Sequence, residues 1–241
     1  TDRESGVARH NQIRLQRRGR LPAIGRAANT RPISGMTAAV ALPAGDLPPD
    51  ASAACGRLVL LAMNPAGYRS LCRLASLYQS DPDRERRQRG GFAWAELREH
   101  TDGLFCLTGG RAGWLERFLR AGNRAAATRY VSQLGGLFDA RCGLAISPDL
   151  MRGPLRPLAE EITALGHRFG LRPVAAQPIY CLDAQQRPLL RLLAAIDANC
   201  PIAAVDAGTL PDCGDATSPL EWPAPDEVAA AYADPPELLA A

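Results

Sequence analysis

Lysine is absent from this chain, and all 28 basic residues are arginine. In a sequence so rich in Ala, Pro and Gly, that bias reflects a GC-rich genome more readily than selection for bidentate phosphate contacts. Histidine is scarce: only His10, His100 and His167 occur. Each falls in a helical pattern among charged neighbours, where a solvated helix residue is expected rather than a metal ligand. The seven cysteines have no two within four positions of each other, which excludes a zinc knuckle or a disulfide framework and predicts buried, reduced thiols. No apolar run approaches the roughly 18 residues that a membrane helix needs, and no charged-then-apolar signal segment opens the chain. The expected location is the cytoplasm. Also missing are a Gly-x-Ser-x-Gly elbow, a P-loop and a Gly-x-Gly-x-x-Gly after a strand.

What remains is a chain of 241 residues, 46% hydrophobic, with room for one α/β barrel or two small domains. Its charge is unevenly spread. Residues 1–31 carry eight arginines against Asp2 and Glu4, while eight acids and no base follow from Asp206 onward. A basic front and an acidic tail can therefore meet within the fold or face different partners.

The most informative stretch runs from Arg57 to Leu77. Its first half has the length and branching of a buried strand. At Asn64-Pro65 it switches to a helical pattern, with Asn as cap and Pro in the first turn, and Tyr68, Leu71, Cys72, Ala75 and Tyr78 on one face. Upstream, the pattern predicts a helix to about Arg18, a strand at 22–28 and another at 37–42. Downstream, 79–91 reads as polar and exposed, with Arg84, Arg86, Arg87 and Arg89 in a solvated loop. Alternation then continues: a helix at 94–100, a strand at 104–107, helices carrying Trp114 to Leu119 and Ala127 to Leu137, a strand at 142–147, a strongly amphipathic helix with Leu155, Leu158, Ile162 and Phe169, a strand at 173–176, a helix with Leu189, Leu192, Leu193 and Ile196, and a short helix at 225–232. Strands separated by such helices predict parallel β-α packing. Gly109-Gly110-Arg111, at a strand-to-helix turn, reads first as a tight turn and second as a phosphate cradle.

Gly67-Tyr68-Arg69-Ser70-Leu71-Cys72-Arg73-Leu74 resembles the "Gly-Tyr-x-x-Leu-x-x-Leu" signature of the PHP (polymerase and histidinol phosphatase) domains of bacterial DNA polymerase III alpha subunits and their error-prone relatives. Other frames match in order. Thr1-Asp2-Arg3 is similar to the family's Thr-Asp-His, with Arg3 at a His ligand. Ala23 to Ala27 is similar to Ile-Gly-x-Glu, with Ala27 at the carboxylate. Leu144 to Asp149 is similar to the strand carrying Glu and then His, with Ala145 and Asp149 instead. Pro173 to Tyr180 resembles Val-Ala-Thr-Asn-Asp-Val-His, with Pro178 and Tyr180 replacing Asp and His. The family's first His-x-His motif is absent. The Gly103 to Gly110 turn and the exit around Ser218-Pro219 and Asp234-Pro-Pro-Glu237 extend the frame over essentially the whole chain.

The resemblance implies a distorted (β/α)7 TIM-like barrel lacking its first strand, forming one domain over 1–241, with the polymerase palm absent. It implies that Asp2, Arg3, Ala27, Ala145, Asp149, Pro178 and Tyr180 are degenerate metal-site positions gathered at one mouth of that barrel, with no catalytic residue, metal or cofactor. One surviving carboxylate cannot hold the two or three divalent ions that phosphoester hydrolysis uses. The implied role is a structural and interaction module of a replication or translesion polymerase, contacting polymerase core domains or other replication proteins, and DNA only indirectly. The alternative is an active metal-dependent phosphoesterase or 3′-5′ proofreading nuclease that recruits other ligands, such as His10 and Asp206 beside Asp2.

Overall fold

The computed structural model describes residues 33–43, 55–83, 86–87, 90–205, 220–233 and 238. The helix expected to Arg18 and the strand expected at 22–28 lie outside these residues. Five strands among the described residues form one sheet in the order β1 (Gly35–Val40), β2 (Gly56–Ala62), β3 (Leu104–Thr108), β4 (Cys142–Ile146) and β5 (Arg172–Ala175). Among the described residues the sheet is open, with β1 and β5 as its edges. Among the described residues seven α-helices accompany it: α1 (Pro65–Ser80), α2 (Trp94–Arg98), α3 (Trp114–Arg120), α4 (Arg124–Phe138), α5 (Arg156–Phe169), α6 (Arg187–Ala198) and α7 (Pro225–Ala231).

The switch at Asn64 forms as its residues dictate. The Asn64 side chain accepts from the Gly67 N–H at 3.0 Å, and Pro65 opens α1. Leu71, Ala75 and Tyr78 are buried as the pattern requires, but Tyr68 and Cys72 are only half-buried, while Gly67, Ser70 and Leu74 turn inward. The rotation follows from one close approach. A Cβ on Gly67 would lie 2.0 Å from the Gly103 carbonyl oxygen, so glycine alone lets the first turn of α1 touch the entry to β3. Ser70 Oγ then donates to Asp102 O at 2.9 Å.

The parallel packing expected throughout holds only for β3, β4 and β5. β1 pairs antiparallel with β2, and β2 antiparallel with β3. The cause lies in residues 63–103. One helix between strands returns the chain to its starting end and makes the next strand parallel. Here α1 descends and Phe92 pairs with Ala39 and Val40 at the far end of the sheet. The segment carrying α2 then climbs back, so Leu104 starts opposite Ala62, where β2 finished. Two traverses reverse the strand. Consequently the first residues of β2 stand beside the last of β3, with Leu58 opposite Thr108.

Alternation along the strands gives the sheet two unlike faces. Leu58, Leu60, Leu104, Cys106, Leu144 and Ile146 are buried in one continuous core with Leu71, Leu74, Phe118, Tyr130, Leu134 and Ile162 of the helices. Trp114 Nε1 donates to Val40 O at 3.1 Å inside it. On the opposite face Val59, Leu61, Phe105, Leu107 and Val174 are half-buried.

One further expectation is corrected. The segment 79–91 is not uniformly exposed. Asp81 is buried, and the Arg87 guanidinium donates to Asp81 Oδ2 at 2.8 Å and to both Glu96 oxygens at 2.6 and 2.7 Å. This network ties the loop to α2. In α6, Leu189, Leu192, Leu193 and Ile196 are exposed, whereas Ala194 and Ala195 are buried against Val205 and Cys200. The helix packs by its small residues on the turn at Ile202–Ala204, so its leucine stripe faces outward.

Candidate functional site

A cavity of about 460 Å³ opens where β3, β4 and β5 end. Three successive loops wall it: Thr108 to Ala112, Ser147 to Asp149, and Ala176 to Tyr180. The antiparallel β2 brings Arg57 and Val59 to the same mouth, and β1 adds Thr37. The walls are fixed by hydrogen bonds between neighbouring elements. Ala145 N–H donates to Thr108 Oγ1 at 2.8 Å, joining β4 to the end of β3. Tyr232 Oη, just past α7, donates to Ile146 O at 2.8 Å, and burial pushes its phenol well above the usual tyrosine range. Tyr180 N–H donates to Leu220 O at 2.8 Å. A Cβ on Gly109 would lie 2.1 Å from Arg57 O, so the glycine turn rests directly on the β2 backbone.

Ala145, Asp149, Pro178 and Tyr180 all line this cavity. Asp2, Arg3 and Ala27 lie outside the described residues, as do His10 and Asp206. His100, half-buried after α2, and His167, exposed on α5, are not part of the wall. Arg120 Nη2 stands 3.5 Å from Asp149 Oδ2 and 2.7 Å from Glu116 Oε1. Burial pushes the Glu116 carboxyl above its ordinary value, against the opposing pull of Arg120. Asp149 therefore already faces a cation supplied by α3.

A divalent ion needs several anionic or neutral lone-pair donors converging on one point. Among the described residues of this wall Asp149 is the one carboxylate, and Arg57 and Arg111 are cations. Among the described residues as a whole, no three His, Cys, Asp or Glu side chains gather as a metal site would require. The described donor set does not fit a metal ion.

Residues 16–148, more than half of the chain, match the PHP domain family. The chain belongs to that family. Asp149 lies just beyond the matched segment of this PHP domain, and Pro178 and Tyr180 lie about 30 residues further on. The chain is also 26% identical over 216 residues to DNA polymerase III subunit alpha of Bacillus subtilis, covering 90% of this chain and 18% of that protein. It is 31% identical over 114 residues to DNA polymerase III subunit alpha of Caulobacter vibrioides, covering 47% of this chain and 10% of that protein. The PHP chain thus spans under a fifth of the length of either relative. Both comparisons agree with the resemblance carried by the Gly67 to Leu74 signature.

Arg57 escaped the sequence reading because a strand taken as parallel starts at the end away from the site. Arg120 escaped it because an ion pair between a helix and a loop leaves no periodic trace. The Gly109-Gly110-Arg111 turn was visible, and its Arg111 joins the cavity wall.

Proposed function

We propose that this PHP domain is a degenerate, metal-free module of a DNA polymerase III alpha-like protein, acting in DNA replication or translesion synthesis through structure and contacts rather than hydrolysis. The observation that carries this reading is one cavity wall. Four positions that the family frame assigns to the metal site, Ala145, Asp149, Pro178 and Tyr180, share it with Arg57 and Arg111. Alanine and proline side chains offer no lone pair, and guanidinium groups repel cations.

In this reading the whole chain is one PHP domain of distorted (β/α)7 barrel type. The apolar, half-buried face bearing Val59, Phe105 and Leu107 is its interior, which supports a barrel because such a face requires cover. Its partners are polymerase core domains or other replication proteins, in the cytoplasm, with DNA contacted only indirectly. Among the described residues no helix is long and apolar enough to cross a membrane.

The test is nitrophenyl phosphate hydrolysis by the purified chain with added manganese or zinc. The expected rate equals that of buffer with metal alone, and Arg3→His leaves it there, because Ala27, Ala145, Pro178 and Tyr180 still supply no ligand set. Turnover that rises with metal and is abolished by EDTA would overturn the reading and favour the phosphoesterase alternative.

A further inference from the structure

We infer that the outward face of α6 is a contact between two copies of this chain, a two-fold pairing in which the α6 helices run antiparallel. Leu189, Leu192, Leu193 and Ile196 recur at i, i+3, i+4 and i+7, one stripe of a helix. They are 39–67% exposed, while Ala194 and Ala195 fill the inner face. A helix that turns its small residues inward and its leucines outward covers its apolar surface only against another body. The patch continues around the helix. Leu182 N–H donates to Gln186 Oε1 just before α6, Ile202 O accepts from Arg191 Nε, and Trp222 follows Glu221, which pairs with Arg187. Leu182, Ile202 and Trp222 are exposed as well. Together these side chains present on the order of 500 Å² of apolar surface. At the roughly 60% apolar share of a contact between proteins, that corresponds to about 800 Å² on each partner, the area of a standard interface. Charge selects a second copy as the occupant. α6 begins with the base Arg187 and carries the acid Asp197 in its last turn, with no acid in its first turn and no base in its last. Both charges lie at the unfavourable end of the helix's own dipole. Antiparallel pairing about the middle of the stripe sets Leu189 of one copy opposite Ile196 of the other. Each Asp197 then stands beside the positive helix end of the other copy, and the two dipoles oppose each other. The face is thus complementary to itself in shape and in charge, as a two-fold contact requires.

Pairing through α6 is independent of the state of the metal site and of the hydrolysis test. The mass of the 241-residue chain is measured by sedimentation equilibrium across a wide range of concentration, beside Leu193→Glu, Ile196→Glu and two exposed controls off the patch, Ile33→Glu and Met63→Glu. A reversible equilibrium between the 25.7 kDa chain and its dimer is expected. Each stripe variant should weaken it about tenfold or more, because pairing then buries a carboxylate without a partner, whereas the controls leave it unchanged. Unchanged circular dichroism separates lost pairing from lost folding. Disulfide trapping reads the orientation. Leu193→Cys, near the two-fold axis, should cross-link to itself under copper-catalysed air oxidation. Leu189→Cys, about 10 Å from its counterpart along the helix, should cross-link no more than the parent chain. A monomer at every concentration, or a dimer that survives both stripe variants, would overturn the assignment. So would loss of the dimer in Ile33→Glu, which would place the contact beside β1, or cross-linking of Leu189→Cys as readily as Leu193→Cys.

Discussion

Arg87 concentrates more of the local structure than any other charged side chain described. It is 11% exposed and bridges Asp81 and Glu96, while its guanidinium carbon stands 5.6 Å from the Phe92 ring centroid. Glu96 is held below the ordinary carboxylate range first by Arg87. Asp81 is held there first by the Asp83 N–H and then by Arg87. Arg87→Leu leaves two partly shielded carboxylates without their cation and is expected to cost about 2–4 kcal/mol in chemical denaturation. Arg86, 73% exposed, is its control, and Arg86→Leu should stay within about 0.5 kcal/mol. Equal effects would mean that the network adds nothing to stability. Two glycines make a second contrast. Gly67→Ala drives a methyl into Gly103 O and should destabilise by about 2 kcal/mol or more. Gly136→Ala, on an open face of α4 with nothing within 4 Å, should stabilise by about 0.5–1 kcal/mol. Reversal of either sign would refute the packing at that turn.

Among the elements, α5 offers the sharpest test of face assignment. Sequence periodicity points both Leu158 and Ile162 at the sheet, but Ile162 is 1% exposed while Leu158 is half-buried at the margin of the core. Ile162→Asp should cost several kcal/mol and Leu158→Asp distinctly less, as read by melting temperature. Equal losses would restore the symmetric reading. The link between α6 and the Glu221 segment should be acid-sensitive. Arg187 pairs with Glu221 and, as the leading cause, lowers its carboxyl from 4.5 to about 2. A depressed carboxylate contributes stability above its unfolded value and loses it as pH falls. The acid limb of the stability profile should therefore steepen from about pH 4.5 towards 2, and Glu221→Gln should flatten it. What the sequence made legible at this scale was local: the Asn64-Pro65 switch, the strand at Leu104 and the amphipathic α5 all carry their signal in neighbouring residues. The direction of β3 was not, because it depends on how many times residues 63–103 cross the sheet. Nor was the outward stripe of α6, since periodicity marks an apolar face without naming what it meets.

For the molecule as a whole, the antiparallel entry of β2 decides what stands at the cavity mouth. It brings Arg57 to the ends of β3, β4 and β5, where a uniformly parallel sheet would have carried it to the opposite end. Of the seven site positions named from the family frame, Ala145, Asp149, Pro178 and Tyr180 meet there. Asp2, Arg3 and Ala27 belong to the residues not described. Short motifs at strand ends are legible because catalytic groups in barrel folds collect at one end. Arg57 was not, since it comes from a strand whose direction the motifs do not encode, whereas Arg111 belongs to the glycine turn that the sequence displays. The proposed function turns on an exchange of metal ligands for positive charge in this PHP domain. Its most direct test is the metal content of the purified 241-residue chain after incubation with excess zinc and manganese and exhaustive dialysis. The proposed exchange implies far less than one equivalent of either metal, and one or more retained equivalents, released by Asp149→Ala, would refute it.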